Sequence, residues 1–559
     1  MPSPVVPSAH DASTQAFPVL TPEQINRIRG LGRARTVQRG EILFEPNDPV
    51  MSFFVLLSGA MEIVQPGFNE ERLIARHGPG EFTGEITMIS RQHSLVRGRV
   101  TEPGEFIELS GEALRSVVAK DAELSDIFLR AFILRRLALI RGGASGVILL
   151  GSRHSAETLE LREFLSRNGY PFTYLDLDMD KSSQELLDRF SIKASEVPVV
   201  ICASHGVMRR PTSSDLADCL GLNSNIDRAR VRDLIIVGAG PAGLAAAVYA
   251  ASEGLDALMI EMHAPGGQAG SSSKIENYLG FPTGLSGQEL AARAITQAQK
   301  FGAAMMVARR VERLDCDQRP YRVILDSGEA LAARVIVIAT GAQYNKLRPE
   351  NLEKFEGKGV HYGCTYIESQ LCEGEEVAVV GGGNSAGQAA VYLSQTAKRV
   401  HMLVRSAELS STMSRYLIQR LAENPRVELH FQSEVTALEG DDHLENVVWR
   451  EKQSGAVGKH GIPHLFVMTG ASPRTEWLRE CVALDDKGFI LTGRELESIA
   501  PGNGKPHWPL ARTPGLLETS LPGVFAVGDV RAGNVKRVAS AVGEGSISIY
   551  LVHRALTEQ

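Results

Sequence analysis

Two glycine-rich turns hold the residue types in this chain best suited to chemistry. The first reads Leu234-Ile-Ile-Val-Gly238-Ala-Gly240-Pro-Ala-Gly243 and leads to Glu261 at the close of Ala257-Leu-Met-Ile260. The second reads Val377-Ala-Val-Val-Gly381-Gly-Gly383-Asn-Ser-Ala386 and leads, over nearly the same interval, to Arg405 at the close of His401-Met-Leu-Val404. In each, an apolar strand ends, glycines let the backbone pass close to a pyrophosphate, and a helix begins with free N–H groups aimed at it. A carboxylate after the next strand accepts hydrogen bonds from a free ribose diol, whereas a guanidinium there suits a 2′-phosphate.

The pair therefore implies an FAD-type nucleotide on Gly238, Gly240, Pro241, Ala242, Gly243 and Glu261. It implies an NADP-type nucleotide on Gly381, Gly383, Asn384, Ser385 and Arg405. One charge-assisted hydrogen bond of about 1.5–3 kcal/mol favours NADPH over NADH roughly tenfold or more, and Arg415 is placed to add a second contact. Two such nucleotides in one chain imply a flavin oxidoreductase.

The elements that must position these turns belong to a multi-domain α/β chain. At 559 residues it is too long for one core, and about three or four domains is the expectation. No stretch approaches the length of a membrane span, and the start lacks a basic region followed by an apolar run, so a cytoplasmic protein is expected. A formal net charge of −7 argues against a nucleic-acid partner. The six cysteines show neither a disulfide framework nor metal-ligand spacing, and no metal site is expected.

Residues 1–15 read as a flexible tail. From 16 to 143, short apolar or alternating runs such as Phe53-Phe-Val-Leu-Leu57 and Phe106-Ile-Glu-Leu109 are punctuated by Gly40, Gly59 and Pro103-Gly104, which predicts a small β-barrel followed by a helix. The order Arg39-Gly-Glu41, Val55-Leu-Leu-Ser-Gly59 and Gly80-Glu-Phe-Thr-Gly-Glu85 resembles the cyclic-nucleotide-binding domain of catabolite-activator-type regulators. The resemblance implies a Gly-Glu pair on the ribose, which Gly84 and Glu85 match, and an Arg-Ser pair on the cyclic phosphate. Before Ser94 this chain has His93 instead of Arg, with Arg91 and Arg97 as the nearest substitutes. A cyclic nucleotide here competes with a structural, dimerising or altered sensor role.

Residues 146–222 alternate strand and helix: Val147 to Leu150, Ala156 to Arg167, Phe172 to Leu175, Ser183 to Phe190, then Val197-Pro198-Val-Val-Ile201. This order resembles a thioredoxin or glutaredoxin domain, in which that proline is usually cis. The family's Cys-x-x-Cys position reads Ser152-Arg-His-Ser155, so the segment lacks the nucleophilic thiolate. Cys202 and Cys219 lie elsewhere and are expected to be buried packing residues.

From Asp233 onward the chain resembles thioredoxin reductase along nearly its whole length. Pro265-Gly-Gly267-Gln268 and Ile275-Glu-Asn277 match the family's loops along the flavin, and Ile338-Ala339-Thr340-Gly341 matches its return between nucleotide domains. Gly523-Val-Phe-Ala-Val-Gly528-Asp529 matches the strand whose Asp meets the ribityl chain. Arg537, Val538 and Ala539, with Gly543-Glu-Gly545, resemble the closing turn and helix near the flavin's pyrimidine end. The resemblance implies two Rossmann-type domains: a discontinuous FAD domain at 230–344 and 484–559, and an NAD(P)H domain at 345–482. It also implies a homodimer.

Thioredoxin reductases carry Cys-x-x-Cys just before the second fingerprint's first strand. Here the segment reads Gly359-Val-His-Tyr-Gly-Cys364-Thr-Tyr-Ile367-Glu, with Cys372 eight positions beyond Cys364. Cys364 has three open roles: half of a pair with Cys372, a lone thiol beside the flavin, or a packing residue. His361 and Tyr362 read mainly as loop packing. Without an adjacent partner thiol, electrons leaving the flavin are expected to reach an unidentified acceptor directly, or the flavin state acts as a sensor signal.

Overall fold

A computed structural model describes residues 16–558, apart from 47, 49–51, 67–70, 85–93, 95, 142–146, 154, 179–191, 203–205, 224–225, 273, 365, 479–480 and 500–507. The expected tail, Glu85, Arg91, His93 and the helix read at Ser183 to Phe190 lie outside the described residues. Two compact units emerge. One holds residues 1–152, 168–226 and 299–302; the other holds 153–167, 227–298 and 303–559. No helix among the described residues is long and apolar enough to cross a membrane.

In the first unit, Arg33–Val37, Gly104–Leu109 and Phe53–Leu56 form one antiparallel sheet, and Ile42–Phe44, Arg97–Glu102, Ala60–Pro66 and Glu71–His77 form another. Their apolar faces meet over Phe53, Phe54, Phe82, Phe106, Phe128 and Phe132. The last two come from the helix Ala122–Arg141 that follows the barrel. A separate four-stranded sheet runs Gly206–Arg209, Val199–Cys202, Val147–Gly151, Thr173–Asp176. The Val197–Pro198 peptide that opens its second strand is cis. Cys202 and Cys219 are both buried, with their sulfurs 2.7 Å apart.

The second unit contains two nucleotide-type sheets. In the first, Ala304–Met306, Ala257–Ile260, Arg232–Val237, Ala330–Ile338 and Val524–Ala526 run parallel, and Tyr321–Leu325 and Val311–Asp315 extend the sheet as an antiparallel hairpin. The strand Val524–Ala526 comes from nearly two hundred residues downstream, so this domain is discontinuous in sequence. In the second, Val360–His361, His464–Val467, Glu376–Val380, Arg399–Val404 and Val427–Phe431 are all parallel. One face carries the helix Asn384–Leu393, and the other is covered by the antiparallel strands Ser433–Glu439, Asn446–Glu451 and Val457–His460. Burial on both faces explains why the central strands read as unbroken apolar runs.

One expectation is corrected. Cys316, just past the strand Val311–Asp315, is bonded to Cys481, with a Cα separation of 5.9 Å. The two lie 165 positions apart, so their spacing carried no sign of the bridge.

Candidate functional site

Each glycine turn sits where the parallel strands end and a helix begins, the place at which open α/β sheets bind ligands. The strand Arg232–Val237 ends at Gly238, whose φ of 104° is reached without strain only by glycine. A Cβ on Gly238 would lie 2.4 Å from the Ala339 carbonyl oxygen, and one on Gly243 would lie 1.9 Å from the Gly238 oxygen. The protein's own backbone therefore demands both glycines. The second turn repeats the first of these contacts: a Cβ on Gly381 would lie 2.4 Å from the Met468 carbonyl oxygen.

The middle glycines differ. Gly240 and Gly383 precede their helices with ordinary extended backbone, at φ −73° and −96°. Their Cβ atoms would meet nothing closer than 3.8 Å and 3.9 Å. Neither crowding nor strain within the chain calls for glycine there, and close approach of a ligand to the helix N-terminus would. Helix-terminal N–H groups at such a turn form a cradle that fits a pyrophosphate.

Around the first cradle the donors and acceptors are closely held. Glu261 is buried, and its two carboxylate oxygens accept from the N–H of Ala239 at 2.8 Å and of His263 at 3.0 Å. Gly266 donates to the Ala239 carbonyl at 2.7 Å, and Gln268 donates through its amide to the Ala342 carbonyl. These bonds bring Gly267 and Gln268 beside Gly240. Arg167, ending the helix Ala156–Arg167, donates to the carbonyls of Ala264 at 2.9 Å and Gly267 at 3.0 Å. Asn277 is exposed in the loop closed by the Ile275 and Leu285 bridge. Ala339 donates to Val237, Thr340 bonds the Arg474 carbonyl at 3.2 Å, and Gly341 has φ 64°.

The other wall comes from the C-terminal segment. Gly528 donates to Glu544 at 2.7 Å, and Arg531 holds the other oxygen of that carboxylate at 2.6 Å. Glu544 thus pins the turn carrying Asp529, whose carboxyl is pushed upward by burial, with Glu544 adding to the shift and Lys536 opposing it. Gly545 lets the helix Val538–Thr557 press on the helix Pro241–Ser252, since a Cβ there would lie 2.2 Å from the Ala242 carbonyl oxygen. Arg537 caps the later helix, leaving Val538 and Ala539 in its first turn. In the same loop, both polar side-chain atoms of Asn534 are buried without a hydrogen-bond partner. An amide with one donor group and one acceptor left unpaired fits the imide edge of an isoalloxazine. The cradle, the ribose-type carboxylate and this orphaned amide together fit FAD.

Around the second cradle the walls are thinner. Asn384 accepts the Ser414 N–H at 2.7 Å, and Thr412 donates to Gly382 at 2.7 Å, so a loop folds over the turn. Ser385, Arg405 and Arg415 are exposed. The cradle and these accessible cations fit an NADP-type nucleotide.

Cys364 is brought toward the first domain by a backbone bridge to Ser272. It is buried in the same apolar cluster as Cys372, and both thiols are free. Burial pushes both thiols up, with Glu368 adding to each. His361 is buried against Phe466 and its pKa is lowered to about 4 by desolvation, which keeps it neutral. Tyr362 donates to Glu356 at 2.6 Å, which fixes it as packing.

Sequence reasoning missed Arg167, Asn534 and the grip of Glu544. Glu544 alone had a signal, in its place between two glycines.

Residues 232–545 match the family model of the pyridine nucleotide-disulphide oxidoreductases, and residues 34–121 match the cyclic nucleotide-binding domain. The thioredoxin reductase of Listeria monocytogenes is 31% identical over 322 residues, covering 57% of this chain and 92% of its own length. That of Bacillus subtilis is 30% identical over 330 residues, covering 59% and 96%. The crystal structure of the Lactococcus lactis thioredoxin reductase superposes with a TM-score of 0.52 at 26% identity, covering 59% of this chain and all of that one. The chain belongs to the pyridine nucleotide-disulphide oxidoreductase family. It is an FAD-dependent NAD(P)H oxidoreductase of the thioredoxin-reductase kind, preceded by a cyclic-nucleotide-binding-type domain.

Proposed function

We propose that this enzyme draws reducing equivalents from NAD(P)H and delivers them to an acceptor that reaches the flavin directly, with no Cys-x-x-Cys relay. The observation that carries this reading is the segment ahead of the strand Glu376–Val380. It offers Cys364 without a second cysteine at Cys-x-x-Cys spacing, buried and with its pKa pushed up. Dithiol exchange needs one thiolate to attack and a second sulfur to resolve the mixed disulfide. Burial works against both requirements.

Bound FAD would supply the electron chemistry, accepting hydride from the pyridine nucleotide. The chain's own part is to hold and orient. Glu261 supports the ribose side, Asp529 and Asn534 stand on the C-terminal wall, and Arg405 with Asn384 and Ser385 favours a 2′-phosphorylated dinucleotide. A quinone, a flavodoxin or ferredoxin, a small disulfide, or oxygen is the class of acceptor such a site serves. The N-terminal domain would regulate this traffic or dock a partner. The resemblance to thioredoxin reductases supports a homodimer as the working form, and a cytoplasmic setting is part of the same proposal.

A second reading has one observation in its favour. Cys372 is a second free thiol buried in the same apolar cluster as Cys364. Anaerobic mixing with NADPH, followed by a panel of acceptors, separates the cases. Rapid bleaching of the flavin, with turnover unchanged in Cys364→Ser and Cys372→Ser, supports direct delivery. Thioredoxin reduction that vanishes in Cys372→Ser establishes the relay instead. No bleaching over many minutes points to a flavin-state sensor.

A further inference from the structure

On the face of the second nucleotide sheet away from its glycine turn, three side chains converge. His401 stands on the strand Arg399–Val404, and Glu428 and His430 stand two residues apart on the neighbouring Val427–Phe431, so all three share one face. His401 Nδ1 lies 3.1 Å from His430 Nε2 and 3.8 Å from Glu428 Oε2, and His430 Nε2 lies 3.7 Å from Glu428 Oε1. A cation bonded at about 2.0–2.1 Å to three tetrahedral ligands sets them about 3.3–3.4 Å apart. The three contacts, at 3.1–3.8 Å, lie near that size, the two imidazoles meeting different oxygens of the one carboxylate.

A second feature points the same way. The outer nitrogen of His401, Nε2, lies 3.3 Å from Glu376 Oε2. With that carboxylate accepting a hydrogen bond from Nε2–H, the Nδ1 lone pair is left facing the centre, the outer-sphere arrangement by which carboxylates fix metal-binding imidazoles. The pocket is walled by Trp449, whose ring lies 5.2 Å from His430 and 5.9 Å from His401. His460 is stacked on that indole at 3.5 Å and is the nearest further imidazole, 6.4 Å from His401.

The charges around the group are consistent with an ion. Arg399 holds Glu428 Oε2 at 3.0 Å, leaving Oε1 to face His430, and Lys398 holds the other oxygen of Glu376 at 3.0 Å. Glu428 is half exposed, which gives an ion a way in.

We propose that His401, His430 and Glu428 form a Zn2+ site that ties two strands of the pyridine-nucleotide domain together, with Glu376 as its positioning residue. Two imidazoles and a carboxylate suit this borderline cation and leave a position for water or for His460. The site does not depend on which acceptor the flavin serves.

The test uses the full-length flavin-loaded protein, stripped with a chelator and dialysed against ZnCl2 in competition with a chromophoric chelator. A single Zn2+ per chain is expected, with a raised thermal midpoint for the loaded protein. Binding should weaken at least 100-fold in His430→Gln and in Glu428→Gln, and about 10–100-fold in Glu376→Gln with stoichiometry retained. Glu428 is exposed enough for its variant to fold as the parent does. Uptake that is the same in Glu428→Gln, His430→Gln and wild type, or no uptake by wild type, overturns the assignment.

Discussion

The two glycine turns share a strand, a bend and a helix, yet the surrounding protein treats them differently. The first is bolted in place. Both oxygens of Glu261 are taken by backbone donors, Glu544 clamps Gly528, and Gly545 draws the closing helix against the turn's own helix. The second keeps its principal charges outside, with Arg405 and Ser385 exposed and one loop folded across. A buried, over-determined cradle suits a nucleotide that stays, and an open one with accessible cations suits a nucleotide that comes and goes. The third fingerprint position marks the same contrast: Gly243 has no room for a methyl group, while the second turn already carries Ala386.

The sharpest way to break this contrast is Gly243→Ala. Its Cβ would meet a backbone oxygen that cannot yield, so the variant should lose about 1–3 kcal/mol or more and be purified colourless. Normal flavin content would show that the first turn is not held as described.

Next come Gly240→Ala and Gly383→Ala, whose methyl groups fit the empty protein but intrude on a pyrophosphate. Each should leave the thermal stability of the nucleotide-free protein nearly unchanged. The first should weaken FAD binding, and the second NADPH binding, by a lost hydrogen bond of about 1.5–3 kcal/mol, roughly 10- to 150-fold. Equal losses for both nucleotides in either variant would remove the assignment of one cradle to each.

Arg405→Ala then tests the exposed cation, by steady-state kinetics with both dinucleotides. The KM for NADPH should rise roughly tenfold, with that for NADH unmoved, the lower end of a charged hydrogen bond because solvent competes there. The smallest effect is expected from Ala386→Gly, which restores a third glycine. It should cost no more than about 1 kcal/mol of stability through helix propensity, and should leave the flavin bound.

Much of this was legible before any coordinates. The turns, their apolar strands and the contrast of Glu261 with Arg405 are short-range patterns, because each is set by what one strand, one bend and one helix can do. The interrupted Cys-x-x-Cys segment was equally plain. The Cys316 and Cys481 bridge, the clasp of Arg167 on the Gly267 loop, and the anchoring of Gly528 by Glu544 were not. Each joins residues whose neighbourhood depends on how distant strands and helices register.

Local chemistry, then, was determined by the order of residues alone: two pyrophosphate-type turns, one followed by an acid and one by a base. Only the folded chain decided which glycines the protein's own backbone demands and which it leaves uncrowded. It alone set His401, His430 and Glu428 on one face at ligand distance. The reason is that periodicity assigns a side chain to a face of its own strand, whereas strand pairing assigns that face its neighbours, and pairing is settled by packing across the whole sheet.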